Sequence, residues 1–162
     1  MQIPLIAALL VTPAGDGFCD TLREIVAAAP GGFVAVSDGP LEGGGFEGRL
    51  SPDFGAGKPV GCIRFEARSY VPDHGDYFCQ AFFPPDAPPG PEMRRGLAER
   101  AAACLGVPAE NNAASDGYVV RLPGVEIAVR SYPNYLIFVN GRHPHGEGPI
   151  DSHSLVLDIV AK

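Results

Sequence analysis

The feature that most constrains the fold of this chain is a stretch of alternating residues around a proline-glycine turn, residues 118–140. Pro123 and Gly124 occupy the second and third positions of a four-residue turn, which is the chemistry of a type II turn. In residues 125–129, apolar residues alternate with polar or small ones, the period of a half-buried strand. The stretch therefore predicts an antiparallel meander of three strands, the last of them over residues 136–139.

The size and charge of the chain limit its architecture and its partners. A length of 162 residues suits one domain with one core. The 21 glycines and 17 prolines exceed ordinary usage and predict long loops. A net charge of −7 argues against nucleic acid and against anionic membrane surfaces as partners, because their phosphates need clustered Lys and Arg.

The N-terminal segment resembles an export signal. Residues 3–11 are apolar and uncharged, and Thr12 and Ala14 place small residues at the spacing that signal peptidase recognises. The run is shorter than the about 20 residues that a membrane span needs. Residues 1–14 are therefore predicted to be a signal peptide and residues 15–162 a single domain in the periplasm or outside the cell. The alternative is an N-terminal core strand in a cytosolic protein.

Two helices are predicted from caps and periodicity. The first begins at Thr21, which forms a capping box with Glu24, and ends at residues 30–32. The second covers residues 92–105, with Pro91 at its first position and glycine after its end. Its buried stripe is predicted to be Met93, Leu97, Ala101 and Cys104, with Arg94, Arg95, Glu99 and Arg100 lying away from it.

The remaining elements are predicted strands. Residues 33–36 form a short strand, residues 37–59 are mostly glycine-rich loop, and residues 60–71 and 76–83 form a hairpin. A polar loop follows the second helix, and residues 154–160 close the sheet as a strand or short helix.

This order of elements predicts an α+β fold: a single domain with one antiparallel sheet and two helices packed on one face. The order helix, strand, hairpin, helix, meander resembles the arrangement in type III secretion chaperones. The resemblance implies a small acidic cytosolic dimer that binds an effector segment across its sheet.

The four cysteines predict two structural disulfides, because none has the close spacing of zinc or redox motifs. If residues 73–75 are the hairpin loop, Cys79 joins the sheet face that the second helix covers. Cys104 ends the buried stripe of that helix, so Cys79 is predicted to pair with Cys104. By elimination, Cys19 is predicted to pair with Cys62.

No catalytic, metal or cofactor site is predicted. His143 and His145 flank a proline in a loop without a third ligand at a suitable spacing. Residues 151–154 contain the residue types of a catalytic triad, but adjacent residues cannot converge as a triad requires. Nucleotide-binding loops and nucleophile elbows are absent from the sequence.

The aromatic residues of the hairpin leave two interpretations open. Tyr77, Phe78, Phe82 and Phe83 cannot all point to one face of a strand. At least one apolar side chain therefore lies on the face away from the helices, either in a second buried layer or on an exposed surface that binds a partner or a second copy.

These observations favour a secreted or periplasmic, non-enzymatic binding protein with an unknown protein or small-molecule partner. A homodimer is left open. The alternatives are a cytosolic protein similar to secretion chaperones and a small hydrolase.

Overall fold

The structure, a computed structural model, describes residues 17–42, 44–66, 77–113, 116–133 and 153–162. Within them lie helices α1 (Gly17–Ala27) and α2 (Pro91–Leu105) and two 3-10 turns, Ala29–Gly31 and Val34–Val36. The strands are β1 (Ser37–Pro40), β2 (Phe46–Gly48), β3 (Val60–Arg64), β4 (Tyr77–Phe83), β5 (Ala109–Asn112), β6 (Gly117–Leu122), β7 (Val125–Pro133) and β8 (His153–Ala161). None of the helices described has the length and apolar character to cross a membrane.

All these strands belong to one antiparallel sheet in the order β1-β2-β3-β4-β8-β7-β6-β5. The last strand in sequence, β8, lies near the middle of the sheet, between β4 and β7. Its residues Leu155, Val156 and Leu157 are fully buried although they point alternately to opposite faces. Both faces of the sheet are therefore covered at its centre, and the strand interpretation of residues 154–160 is confirmed.

The proline-glycine turn joins β6 to β7 as predicted. Leu122 lies opposite Val125, and Gly124 has the positive φ, 75°, that the third position of a type II turn needs. The rest of the predicted meander is wrong in its placement, because β8 occupies the edge of β7 that the third strand was to use. Residues 136–139 themselves lie outside the described residues.

Helix α1 begins earlier than predicted. It starts at Gly17, so Thr21 lies inside the helix and is not its cap. The extra turn buries Phe18, which is 1% exposed, and that burial stabilises the first turn of the helix. Helix α2 has the predicted end, with Gly106 in the left-handed conformation after it, and includes Pro91 as its first residue.

One side of α2 departs from the predicted stripe. Leu97, Ala101 and Cys104 are buried, but Met93 is 38% exposed and Arg94 is only 8% exposed. Hydrogen bonds hold the Arg94 guanidinium in this buried position. It donates to Ser131 Oγ at 2.8 Å and to Asp116 Oδ2 at 3.2 Å, so its charge is compensated where the sequence pattern predicts exposure. Of the other residues predicted to lie away from the stripe, Arg95 and Glu99 are exposed and Arg100 is half-buried.

Both helices pack on the same face of the sheet, as predicted, and form the main core with it. The helices contribute Phe18, Leu22, Ile25, Leu97, Ala98 and Ala101, and the strands contribute Cys62, Tyr77, Cys79, Val120, Ile127, Val129, Leu155, Leu157 and Ile159. We call this side of the sheet the helix face. Its strand residues alternate along each strand with those of the opposite side.

The opposite side, here called the second face, is also buried at its centre. Ile63, Phe65, Phe78 and Val156 form a separate small core, with the rings of Phe65 and Phe78 6.4 Å apart at their centroids. Phe78 is 1% exposed and Phe82 is half-buried. The interpretation of a second buried layer is therefore confirmed, and that of an exposed apolar surface for a partner at Phe78 is wrong.

Three segments have a different secondary structure from the one predicted. The predicted strand at residues 33–36 is 3-10 turn, because Phe33 takes a left-handed φ of 61° while its ring is buried. The glycine-rich region contains β1 and β2, which extend the sheet when β2 pairs with β3. The polar loop after α2 contains β5, which pairs with β6 through its backbone. Backbone pairing does not need apolar side chains, so composition alone missed both additions.

The hairpin register is also wrong. Arg64 lies opposite Tyr77 and Cys62 opposite Cys79, whereas the predicted three-residue loop places Ser69 opposite Cys79. Of the predicted strand over residues 60–71, the described residues contain β3, Val60–Arg64. A change of register by an odd number of residues moves every side chain of a strand to the opposite face. The register of β3 with β4 therefore determines which cysteines meet.

Candidate functional site

All four cysteines are paired in two disulfides, as predicted, but the predicted partners are wrong. Cys19 pairs with Cys104, and Cys62 pairs with Cys79. The second pair follows from the register, because the two cysteines are directly opposite each other on the helix face. The first pair forms because α1 begins at Gly17 and packs along α2, which brings its first turn to the end of α2. Two disulfides are compatible with an oxidising extracellular compartment.

The residues considered as catalytic or metal candidates lie mostly outside the described residues. His74, His143 and His145 and residues 151–152 lie outside the described residues. Of the triad-like run, Ser154 is fully buried in β8 beside His153. Within the described ranges, no three His, Cys, Asp or Glu side chains come together as a metal site would require.

The main candidate for a binding site is a cleft between the end of α1 and the β6–β7 turn, which we call the apolar cleft. Its volume is about 560 Å³. Glycine and proline shape both walls: the chain reverses after α1 at Pro30 and Gly32, and it reverses again at Pro123 and Gly124. The lining residues are Val26, Ala27, Ala29, Pro30, Gly32, Leu122, Pro123, Gly124, Val125, Ala161 and Lys162.

The rim of the apolar cleft is held by a small charge network. Lys162 Nζ lies 2.6 Å from Glu126 Oε2, and Arg121 Nε lies 3.4 Å from the same oxygen. The hydrogen bond from Lys162 lowers the pKa of Glu126, against partial burial that raises it, and the charges of Lys162 and Arg121 lower it further. The backbone N–H of Lys162 also donates to Gly124 O at 2.9 Å. The end of β8 is therefore fixed against the turn, and the cleft has one defined wall.

A second cleft of about 450 Å³ lies beside β3, where β2 pairs with only part of that strand. Its lining includes the polar side chains of Glu47 and Ser51 beside the ring of Phe82. Small-molecule sites are mostly apolar with a few polar groups. The apolar cleft fits that description better.

The second face carries polar groups that the sequence interpretation missed. Gln80 is fully buried, and among the described residues neither its Oε1 nor its Nε2 has a hydrogen-bond partner. Asp158 on the neighbouring strand β8 is 2% exposed. The register continues from Gln80 through Val156 to Arg130 on β7, whose Nε is also buried and has no partner within the same ranges. A glutamine and an aspartate inside two otherwise apolar strands were the available signal for this cluster.

Arg130 keeps its charge in this environment. Burial opposes ionisation, but a hydrogen bond to the Tyr132 hydroxyl at 3.0 Å and the negative charges of Asp158 and Glu126 raise the pKa of Arg130 above its ordinary value. Arg130 therefore stays a cation that balances Asp158 on the second face.

The sequence interpretation identified the residues of the apolar cleft as turns and helix ends, but not as a site. The sequence marks two chain reversals, at Pro30 and Gly32 and at Pro123 and Gly124. However, 90 residues separate the two reversals, and nothing local shows that they meet.

Comparison of this chain with known proteins does not identify a family, since no family model, no curated protein and no solved structure matches it.

Proposed function

We propose that this protein is exported to an oxidising compartment and acts there as a non-enzymatic binding protein for a small apolar molecule. The observation that carries the proposal is the pairing of all four cysteines in two disulfides, one between the helices and one within the sheet. Such pairing persists in secreted and periplasmic proteins and is rare in a reducing cytosol. The apolar N-terminal run and the small residues after it support the same compartment.

The apolar cleft is the proposed binding site. Its volume of about 560 Å³ falls inside the range of roughly 300–1,000 Å³ that small-molecule sites occupy. Val26, Leu122, Val125 and Ala161 offer apolar contact on four elements, which is the arrangement that buries a small apolar ligand on several sides.

The export part of the proposal is tested by the intact mass of the protein taken from its native compartment. We expect the mass to lack residues 1–14 and to show no thiol that reacts with an alkylating agent. A full-length mass with four reactive thiols would overturn export and favour the cytosolic, chaperone-like alternative.

The binding part is tested with the neutral apolar dye Nile red and two matched variants. Ala27 is exposed at the end of α1 and lines the apolar cleft, whereas Ala103 is exposed on α2 and does not line it. Ala27→Phe should weaken dye binding at least about tenfold by filling the cleft, and Ala103→Phe should leave it unchanged. Equal affinity in the two variants would exclude this cleft as the site.

The hydrolase alternative is separated from both by a panel of ester, peptide and phosphate substrates. Turnover that is lost in a variant of Ser152 or His153, with dye binding retained, would replace the binding proposal with an enzymatic one.

A further inference from the structure

The two disulfides differ in how easily a reagent can reach them. Cys62 and Cys79 are 1% and 0% exposed, in the core between the sheet and the helices. Cys104 is 6% exposed, and its partner Cys19 is half-buried in the first turn of α1. Exchange requires that a thiolate reach a sulfur of the disulfide, so access decides which bond reacts first.

The accessible disulfide joins the first turn of α1 to the end of α2, two helices that also contact each other directly. Besides the bond, Arg23 Nε of α1 donates to Cys104 O at 3.1 Å, and the Arg100 guanidinium of α2 lies 4.1 Å from the centre of the Phe18 ring. The buried residues Phe18, Leu22 and Ile25 hold α1 by apolar packing. Helix α2, in contrast, contacts β5, β6 and β7 along its length. Loss of the bond therefore removes the covalent attachment of α1, whereas α2 keeps its contacts with three strands.

We propose that the Cys19–Cys104 disulfide is a redox-sensitive switch, which a dithiol opens selectively to release α1 while Cys62–Cys79 and the sheet persist. One thiolate of the dithiol attacks Cys19 Sγ, the bond to Cys104 Sγ breaks, and Cys104 leaves with the electron pair as a thiolate. The second thiol of the dithiol then displaces Cys19 from the mixed disulfide. The dithiol ends as a disulfide, and its two protons end on Cys19 and Cys104.

The switch goes beyond the proposed function and stands whether or not the apolar cleft binds a ligand. Val26 and Ala27 of α1 form part of one cleft wall, so release of α1 also loosens that wall.

The order of reduction tests the proposal directly. The folded protein is treated with increasing dithiothreitol, quenched with iodoacetamide and mapped by peptide mass. We expect a range of concentrations in which Cys19 and Cys104 are alkylated and Cys62 and Cys79 are not. Alkylation of Cys62 and Cys79 first, or of all four cysteines together, would overturn it.

A double variant, Cys19→Ser with Cys104→Ser, tests the structural consequence. Amide hydrogen exchange in α1 should become at least about tenfold faster, while exchange in β4 and β8 stays as in the parent protein. Unchanged exchange in α1 would show that the bond does not hold the helix, and loss of protection in β4 and β8 would show that opening is not confined to α1. Either result excludes the switch.

Discussion

The two faces of the sheet are both buried at their centre, yet they are built differently. On the helix face, side chains from two helices and five strands interlock in one apolar core that also contains both disulfides. On the second face, a small apolar core of Ile63, Phe65, Phe78 and Val156 lies beside buried Gln80 and Asp158. Apolar burial dominates folding free energy, so the helix face supplies most of the stability of the domain.

The difference shows that burial and stabilisation are separate quantities. A buried amide without a partner costs about 1–3 kcal/mol, so Gln80 opposes folding at a position where an apolar residue would support it. The polar group on the helix face behaves in the opposite way. The Tyr77 hydroxyl lies 2.8 Å from Leu50 O and accepts from Leu50 N at 3.2 Å, so its burial is compensated.

The largest effect is expected at the centre of the helix face. Leu97 is 3% exposed, whereas Arg95 is exposed on the same helix and pairs only loosely with Glu99 at 3.9 Å. Leu97→Asp should cost several kcal/mol of unfolding free energy by burying an unpaired carboxylate, against a total of about 5–15 kcal/mol. Arg95→Asp should cost less than about 1 kcal/mol. Equal melting temperatures of the two variants would contradict the assigned helix face.

Alkaline pH should destabilise the domain through Tyr77. Burial raises the pKa of Tyr77 to about 12 from 10.0, against hydrogen bonding with Leu50 and the charge of Arg49, which lower it. Because the folded state holds the proton more tightly, the stability is complete below pH 10 and is lost as pH rises towards 12. The loss should reach about 2–3 kcal/mol. Tyr77→Phe is the control. In urea titrations from pH 9 to 12, the free energy of unfolding of this variant should lack the part of the pH dependence that Tyr77 causes.

Two glycines differ in the space that surrounds them, one in close packing and one at an open surface. A Cβ at Gly48 would lie 2.6 Å from Tyr77 Oη and 2.7 Å from Cys62 Cβ, whereas one at Gly96 in α2 would meet nothing within 4 Å. Gly48→Ala should cost about 1–3 kcal/mol. Gly96→Ala should gain roughly 0.5–1 kcal/mol by its higher helix propensity. Chemical denaturation of both variants measures the contrast, and a gain in both would refute the close contact at Gly48.

On the second face, removal of polarity should stabilise. Gln80→Met keeps the length of the side chain and removes the unpartnered amide, so the free energy of unfolding should rise by about 1–2 kcal/mol. Gln80→Ala should lower it, because the truncated side chain leaves a cavity. A loss of stability in Gln80→Met, measured by urea denaturation, would mean that the amide is satisfied in solution.

The smallest effect is expected where the second face reaches solvent at its rim. Glu126→Gln removes the carboxylate that Lys162 and Arg121 share, and exposed pairs of this kind contribute about 0.2–1 kcal/mol. Because the pKa of Glu126 is lowered in the folded state, this contribution is present at neutral pH and is lost as pH falls through that pKa. The variant should therefore match the parent protein in acid and at high salt, which thermal melts can check.

Local chemistry was sufficient for several elements. Pro123 and Gly124 predict their turn because ring closure and the lack of a Cβ restrict backbone angles within the turn itself. Pro91 and Gly106 bound α2 for the same reason, and alternation identified β7. The α+β class followed from these elements, since a half-apolar sheet and two amphipathic helices must cover each other.

Only the tertiary structure decided which of these elements meet. The pairing of β3 with β4 depends on side-chain packing across the sheet, and a shift by an odd number of residues reverses every side chain, so the disulfide partners could not be derived from a local turn. Arg94 is buried because Ser131 and Asp116 reach it from elsewhere in the chain. The apolar cleft joins two chain reversals in the same way. Sequence patterns report forces that act over a few residues, whereas a site is made by contacts that exist after the chain has folded.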